Sequence, residues 1–250
     1  MTSNTTFPGL SSVWGSSSSD VFAVGGSTIL HCDGSTWSTM ASNGNWFLTG
    51  VWGSSSSDVF AVGGYGTILH YDGSAWSAMT SGTTYTLRGV WGSSSTDVFA
   101  VGDEGAILHY NGSAWSAMTS GTTNMLFDVW GSSSSDVFAV GWNSSGAPGN
   151  NGTILHYNGS AWSAMANSAL DALESVWGSS STDVFAVGVY GNIVHYDGKT
   201  WSVMNSGTSD NLYGIWGSSS SDVFAVGTHG SRANGLYGTI LHYNGGDGGH

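Results

Sequence analysis

The chain has 250 residues, of which 40% are hydrophobic and 13% aromatic, and this composition excludes a disordered protein. Three Lys and Arg residues stand against 16 Asp and Glu, and a formal net charge of −13 disfavours nucleic acid and anionic lipid as partners. A single cysteine, Cys32, excludes a disulfide framework, and the absence of a long apolar stretch predicts no membrane insertion.

One stretch of thirteen residues, represented by Val90 to Gly102 (Val-Trp-Gly-Ser-Ser-Ser-Thr-Asp-Val-Phe-Ala-Val-Gly), occurs in six similar copies. Their tryptophans are spaced 38, 39, 39, 47 and 39 residues apart and are Trp14, Trp52, Trp91, Trp130, Trp177 and Trp216. A period near 40 residues is typical of propellers and other repeat arrays. Because one unit cannot bury both of its faces, we predict a single domain over residues 1–250. Its repeat units span about 1–40, 41–79, 80–118, 119–165, 166–204 and 205–250.

The second unit shows the pattern of strands within a repeat. Residues 48–53 form a short predicted strand, and a Ser-rich turn leads into the apolar run 59–63, which suits a strand buried on both faces. A third strand covers 67–71, and the Asp72-Gly73 hairpin signal leads into a fourth over 74–79. Glycines interrupt every candidate helical window. Four antiparallel strands per unit predict an all-β, six-bladed propeller.

The sixth unit is predicted to lack its outer strand, because no Trp-Ser-Ala-Met sequence follows residues 241–245. Three explanations stay open: the blade has three strands, the chain is part of a longer array, or a neighbouring chain donates the strand. An unpaired strand edge favours such pairing.

The copies differ from one another in two places, the connection between strands 2 and 3 and the link from strand 4 to the next strand 1. Both open on the same side of a blade, which we call the variable face, and repeat proteins usually place variation where they bind. Aromatic rings with scattered polar groups suit glycans or peptides, with loop packing as the alternative. The predicted ligand-binding residues are Trp46, Tyr65, Tyr85, Arg88, Asp103, Glu104, Phe127, Trp142, Glu174, Tyr190, Tyr213, His229, Arg232 and Tyr237.

The third unit carries a family resemblance. Leu87-Arg88-Gly89-Val90, the Val-Phe-Ala-Val-Gly run, Gly105-Ala106-Ile107-Leu108-His109 and Trp115 resemble the BNR/Asp-box repeat superfamily. Within it, the chain is most similar to propellers like the photosystem II assembly and stability factors. The resemblance covers all six units, and it implies a propeller fold. The Asp72-Gly73 turn is one residue shorter than an Asp-box. Of the arginines that the photosynthetic members carry at this strand-1 position, only Arg88 is present.

Two kinds of side chain recur once per unit. We predict that the recurring histidines hydrogen-bond turn residues and bind no metal, because strand 3 lies too far out for them to share an ion; they are His31, His70, His109, His156, His195 and His242. The tryptophans of Val-Trp-Gly are expected to pack between blades. An outer set is expected to pack on strand 3, with sugar-stacking platforms as the alternative; it comprises Trp37, Trp76, Trp115, Trp162 and Trp201.

A sialidase is excluded, because that family's site needs three arginines and the chain has two. A glycosidase needs two facing carboxylates, and most Asp residues here occupy turns. The acids left on the variable face are Asp103, Glu104, Asp128, Asp171, Glu174 and Asp210.

We therefore predict a non-enzymatic recognition or scaffold propeller, without cofactor, that binds a glycan or a polypeptide. The expected location is extracellular, on the cell surface or in the periplasm of a bacterium. Two alternatives stay open: a structural protein that self-assembles through the unclosed sixth blade, and a glycoside hydrolase or lyase.

Overall fold

The computed structural model describes residues 9–42, 44–143, 151–166, 171–231 and 235–245. It contains six antiparallel sheets, one in each repeat, in which the strands follow one another in chain order. The predicted six-bladed β-propeller is confirmed, with four strands in each of the first five blades and three in the sixth. The chain divides into two compact units of three blades each, Met1–Thr119 and Ser120–His250.

The first unit holds the first three blades. The strands of its first blade are β1 (Ser12–Ser17), β2 (Asp20–Gly25), β3 (Thr28–Cys32) and β4 (Trp37–Ala41). The second blade consists of β5 (Leu48–Ser55), β6 (Asp58–Gly63), β7 (Ile68–Tyr71) and β8 (Trp76–Met79). The third consists of β9 (Leu87–Ser94), β10 (Asp97–Gly102), β11 (Ile107–Tyr110) and β12 (Trp115–Met118).

The second unit holds the other three. The fourth blade consists of β13 (Met125–Ser133), β14 (Asp136–Trp142), β15 (Gly152–Tyr157) and β16 (Trp162–Ala164). The fifth consists of β17 (Leu173–Ser180), β18 (Asp183–Gly188), β19 (Ile193–Tyr196) and β20 (Trp201–Met204). The sixth consists of β21 (Asn211–Ser219), β22 (Asp222–Ser231) and β23 (Gly235–Tyr243).

The Val-Phe-Ala-Val strand is buried on both faces in the second to fifth blades, as predicted, whereas Val226 of the sixth blade is 48% exposed. In the second blade Val59, Phe60, Ala61 and Val62 each have 0% of their surface exposed. Inside each unit, a blade has two packing faces. Its forward face packs on the next blade in the chain, and its receiving face packs on the preceding blade. The forward-face residues Phe60, Val62 and Ile68 share one apolar cluster with Leu87 and other residues of the third blade.

The tryptophan of Val-Trp-Gly belongs to the forward face, so the predicted packing between blades is confirmed inside each unit. The ring of Trp52 lies so close to Gly92 that a Cβ there would stand 2.6 Å from a ring carbon. In the second unit Trp130 lies in the same way on Gly178. At Gly53, Gly92, Gly178 and Gly217, the preceding blade's tryptophan ring therefore occupies the place that a side chain would take.

The outer tryptophans pack on strand 3, also as predicted. The ring centroids of Tyr110 and Trp115 are 5.4 Å apart, and those of Tyr196 and Trp201 are 5.3 Å apart. Both tryptophans are buried. These rings are core side chains, and the alternative of exposed sugar-stacking platforms is wrong for them.

The recurring histidines hydrogen-bond the serine turns, as predicted. In the third blade His109 Nε2 lies 2.7 Å from Asp97 Oδ1, and the Ser93 hydroxyl donates to Asp97 Oδ2 at 2.5 Å. The His109 ring also contacts Phe99, with centroids 4.6 Å apart. The same Ser–Asp–His arrangement is present in all six blades. It joins the ends of strands 1, 2 and 3 on the side opposite the variable face.

Helical structure in the described ranges is limited to three-residue 3-10 turns at Gly64–Gly66, Asp103–Gly105 and Val189–Gly191. Each connects strand 2 to strand 3. Within the same ranges, no helix is long and apolar enough to cross a membrane.

We expect His109→Ala to lower the free energy of unfolding by about 1–3 kcal/mol, because the half-buried Asp97 carboxylate loses its partner. The matched change His242→Ala in the sixth blade should lower it by less, because both members of that pair are more exposed. Urea denaturation of the two variants measures the difference. Equal losses would contradict a contribution that depends on burial.

Candidate ligand-binding face

The turns between strands 2 and 3 hold their middle residue in the left-handed backbone region. Tyr65, Glu104 and Tyr190 have φ of 55°, 54° and 57°, which non-glycine residues seldom adopt. Such strained positions concentrate at functional sites. The side chains of Tyr65 and Tyr190 are 71% and 69% exposed. Each of these two turns therefore presents a large aromatic ring to solvent from a constrained backbone.

In the first unit, the second blade brings two aromatic rings together. Phe47, also at positive φ, contacts Tyr65 edge to face with centroids 5.9 Å apart. The predicted Trp46 is half-buried and packs on the apolar cluster between the first two blades. Tyr85, in the link that precedes β9, is exposed. Phe47 thus stands beside Tyr65 on the surface, whereas Trp46 contributes to packing.

In the third blade, Arg88 forms an ion pair with an acid of the same blade. Arg88 Nε donates to Asp103 Oδ1 at 2.5 Å, which joins strand 1 to the following 3-10 turn. Both side chains are half-buried. The neighbouring Glu104 sits at the tip of the turn. Arg88 is therefore engaged inside its blade.

The second unit contains a cavity of about 500 Å³ between the fourth and fifth blades. Four of the predicted ligand-binding residues line it together. The full lining is Phe127, Trp142, Asn151, Asp171, Ala172, Glu174, Val189 and Tyr190. Phe127 and Trp142 come from β13 and the end of β14, and Glu174 comes from β17. Three aromatic rings and two carboxylates thus share one concave site, which is the usual form of a binding pocket.

Backbone and amide hydrogen bonds hold the fifth blade's part of this cavity. The Val189 N–H donates to the Ala172 carbonyl at 3.1 Å, and Asn192 Nδ2 donates to the Asp171 carbonyl at 3.2 Å. These bonds tie the link before β17 to the turn that carries Tyr190. On the opposite side, the Asn143 N–H donates to the Asn151 carbonyl at 2.8 Å.

Asn211 connects the turn of the fifth blade to the sixth. The Tyr190 N–H donates to Asn211 Oδ1 at 3.1 Å, and Asn211 Nδ2 donates to the Tyr213 hydroxyl at 3.3 Å. Tyr213 is itself exposed. Two predicted residues, Tyr190 and Tyr213, are therefore linked through one amide side chain.

Asp210 organises the base of the sixth blade's long hairpin. It accepts a hydrogen bond from the Thr239 hydroxyl at 2.5 Å and pairs with His229. The Thr239 hydroxyl and then His229 lower the pKa of Asp210. Tyr237 lies opposite His229 in the hairpin and is exposed. The predicted Arg232 lies outside the described residues, as does most of the fourth blade's expanded connection.

Asp128 does not lie free on the variable face, and the expectation that it does is wrong. Its carboxylate accepts hydrogen bonds from the Ser175 hydroxyl at 2.7 Å, the Val176 N–H at 3.0 Å and the Val129 N–H at 2.9 Å. Burial nevertheless raises the pKa of Asp128. Asp128 thus joins the innermost strands of the fourth and fifth blades.

Several cavity residues are absent from the predicted set: Asn151, Asp171, Ala172 and Val189. Each is near a predicted residue in sequence or opposite one in space, so the variation between repeats was the signal that could have found them. No group of three His, Cys, Asp or Glu residues in the described ranges could hold a metal ion.

Solved structures of propellers align with most of the chain. YCF48 bound to D1 peptide aligns with a TM-score of 0.69 and 17% identity over 96% of this chain and 79% of that one. YCF48 from Cyanidioschyzon merolae aligns at 0.66 and 16% identity, over 92% and 80% of the two chains. The WD40 β-propeller domain of Doa1 aligns at 0.74 and 13% identity, over 93% and 81%. At these identities the likeness shows the fold alone.

No protein-family model matches the chain, and no curated protein matches it. The BNR/Asp-box assignment therefore stays a prediction. The resemblance to the propellers of photosystem II assembly factors is confirmed for the fold.

We expect Asp128→Asn to alter the pH dependence of stability. Because the folded pKa of Asp128 is raised above 3.8, the folded wild type takes up a proton before the unfolded chain as the pH falls. The wild type should therefore gain stability relative to the variant as the pH falls from 7 towards 4. Thermal unfolding of both proteins across this range measures the gain.

Asp72→Asn provides a control of opposite sign. The Ser74 hydroxyl and the Ala75 and Ser74 N–H groups lower the pKa of Asp72 to about 2. The wild type should therefore lose stability relative to this variant as the pH falls from about 4 towards 2. For the first variant, the opposite outcome would contradict a raised pKa at Asp128: a wild type that loses stability relative to Asp128→Asn as the pH falls from 7 to 4.

Proposed function

We propose that this protein is a non-enzymatic scaffold that binds a polypeptide on its variable face, with the cavity between the fourth and fifth blades as the main site. One observation carries the proposal: Phe127 and Trp142, which differ from their counterparts in every other repeat, line one cavity together with Tyr190 and polar groups. Its volume of about 500 Å³ falls within the roughly 300–1,000 Å³ typical of ligand pockets.

The comparisons support a polypeptide over a glycan as the ligand. One propeller of the same fold is described as bound to a peptide. Three of the outer tryptophans that could have stacked on sugars are buried instead, namely Trp115, Trp162 and Trp201. A glycan remains an outcome of the test below.

The carboxylates support a binding role over catalysis. A glycosidase uses a carboxyl of raised pKa as its general acid. Asp128 has a raised pKa, but three donors hold it between strands and it is not part of the cavity lining. The acidic, lysine-poor composition supports the location proposed for this scaffold, outside the cell, at its surface or in a bacterial periplasm.

We expect a displayed library of random peptides to yield binders of the wild-type chain, and Trp142→Ala to weaken them about tenfold or more, because a buried aromatic contact is lost. Trp216→Ala, which removes an exposed tryptophan outside the variable face, is the matched control and should leave binding unchanged. Biolayer interferometry measures both variants. A glycan array is screened in parallel. Glycan binders without peptide binders, or peptide binding that survives Trp142→Ala, would overturn the proposal.

A second candidate function is self-association, and the exposure of the sixth blade's forward face favours it. Trp216 and Ile240 are 61% and 73% exposed, whereas Ile68, the counterpart of Ile240 in the second blade, is 1% exposed. An exposed apolar surface of this kind marks an interaction site.

The first blade exposes the matching receiving face. Val13 is 65% exposed, whereas its counterpart Val51 is 6% exposed. The atoms nearest to a Cβ built on Gly15 belong to its own blade, whereas a Cβ built on Gly53 would meet the ring of Trp14. Because these surfaces repeat the side chains of the internal junctions, we propose that Trp216 of one copy packs on Gly15 of a second copy. Such head-to-tail contacts propagate unless they close into a ring.

We expect the wild type to form dimers and larger species as its concentration rises, and Trp216→Ala to remain monomeric, because that change removes the ring that would bridge two copies. Sedimentation velocity over a range of concentrations measures this, with Tyr65→Ala as the exposed-aromatic control. A monomeric wild type at every concentration would rule out the contact.

A further inference from the structure

Resting on the polypeptide-binding role above, we propose that the cavity between the fourth and fifth blades takes a positively charged side chain, Lys or Arg, of the bound polypeptide. The cavity combines three features that each suit such a group: carboxylates, aromatic faces and a buried acceptor without a donor.

The first feature is the charge of the lining. Asp171 and Glu174 both line the cavity, and the described lining residues include no Lys or Arg. The net charge of −13 adds a long-range attraction for cations. An anionic or phosphorylated side chain would meet repulsion here. An apolar one would strip water from the carboxylates without replacing their hydrogen bonds.

The second feature is the aromatic wall formed by Phe127, Trp142 and Tyr190. Ammonium and guanidinium groups are attracted to the faces of aromatic rings, to tryptophan most of all. The same rings cover the methylene stem of a Lys or Arg side chain. Carboxylates alone would attract any cation, whereas this wall favours one that carries an apolar stem.

The third feature is Asn151, which lines the cavity near Trp142. Its side-chain oxygen, Oδ1, is buried and has no hydrogen-bond donor among the described residues. A buried acceptor without a donor is uncommon and costs free energy. Lys and Arg side chains carry only donors, three and five respectively, so either would satisfy Asn151 as well as a carboxylate.

The third blade shows that this part of a blade can seat a guanidinium. Arg88 occupies the strand-1 position of Glu174, and Asp103 occupies the turn position of Val189. Arg88 and Asp103 form an ion pair at 2.5 Å. In the fifth blade the acid is on the strand and the turn position is apolar, so the ion pair of the third blade is not repeated between these two positions.

The test uses four capped pentapeptides of the form Gly-Gly-Xaa-Gly-Gly, in which Xaa is lysine, arginine, norleucine or glutamate. Norleucine keeps the apolar stem of lysine and removes its charge. We expect the lysine or arginine peptide, or both, to shift the indole NMR signal of Trp142. The norleucine and glutamate peptides should bind at least tenfold more weakly, and added salt should weaken the charged interaction.

Glu174→Gln and Asp197→Asn form a matched pair of variants, because each removes one negative charge and Asp197 lies in the hairpin turn between β19 and β20, on the side opposite the variable face. Glu174→Gln should weaken the basic peptides about tenfold, whereas Asp197→Asn should not affect them. Asp171→Asn is a second variant that tests the same cavity if Glu174→Gln unfolds.

Each outcome decides between the proposals. If norleucine binds as well as lysine, or if neither carboxylate variant weakens the basic peptides, the cation site is wrong. If library peptides bind in a Trp142-dependent way but contain no enriched Lys or Arg, polypeptide binding stands and the cation site fails. If no peptide binds at all, both proposals fail.

Discussion

Each unit of this protein depends on one contact, a tryptophan ring of one blade lying on a glycine of the next. A side chain at Gly92 would stand 2.6 Å from the ring of Trp52, so only glycine permits this approach. The contact sets the spacing at which Phe60, Val62 and Ile68 close over the following blade. Burial of that apolar surface is the main favourable term in folding.

The Ser–Asp–His arrangement ties the same ends of the strands together in every blade. Because His109, Asp97 and Ser93 satisfy one another, the turns on that side need no further partner and have kept one sequence. At the other ends of the strands, the links before β9, β13 and β21 are held by local Ser–Thr hydrogen bonds, such as the Ser81 hydroxyl to the Thr83 carbonyl, and these do not join the strands of a blade. These ends of the strands are free to differ, and the left-handed Tyr65, Glu104 and Tyr190 all lie there. One side of the blade thus provides stability and the other provides variety.

Similar positions on the variable face have acquired different chemistry in different blades. Where the third blade places Arg88 against Asp103, the fifth places Glu174 beside an aromatic cavity. The first arrangement satisfies itself, whereas the second holds two acids and an unsatisfied acceptor. The same frame therefore yields a closed ion pair in one blade and a concave acidic site in another.

The sequence by itself determined the architecture: the number of blades, the burial of the Val-Phe-Ala-Val strand and the bonding of the recurring histidines to the serine turns. These features follow from the hydrophobic pattern within a repeat and from the repeat length, and both can be observed in six copies. Only the tertiary structure decided which variable residues meet. Phe127 and Glu174 are 47 residues apart, and they share a cavity because adjacent blades bring their first strands side by side. Likewise, the sequence predicts that Asp128 is a surface acid, whereas in the structure Ser175 and Val176 of the fifth blade cover it and donate hydrogen bonds to it. The hydrophobic pattern of a repeat predicts which of its residues are buried. A contact between two blades also depends on the distance and rotation between them, which the sequence of one repeat does not specify.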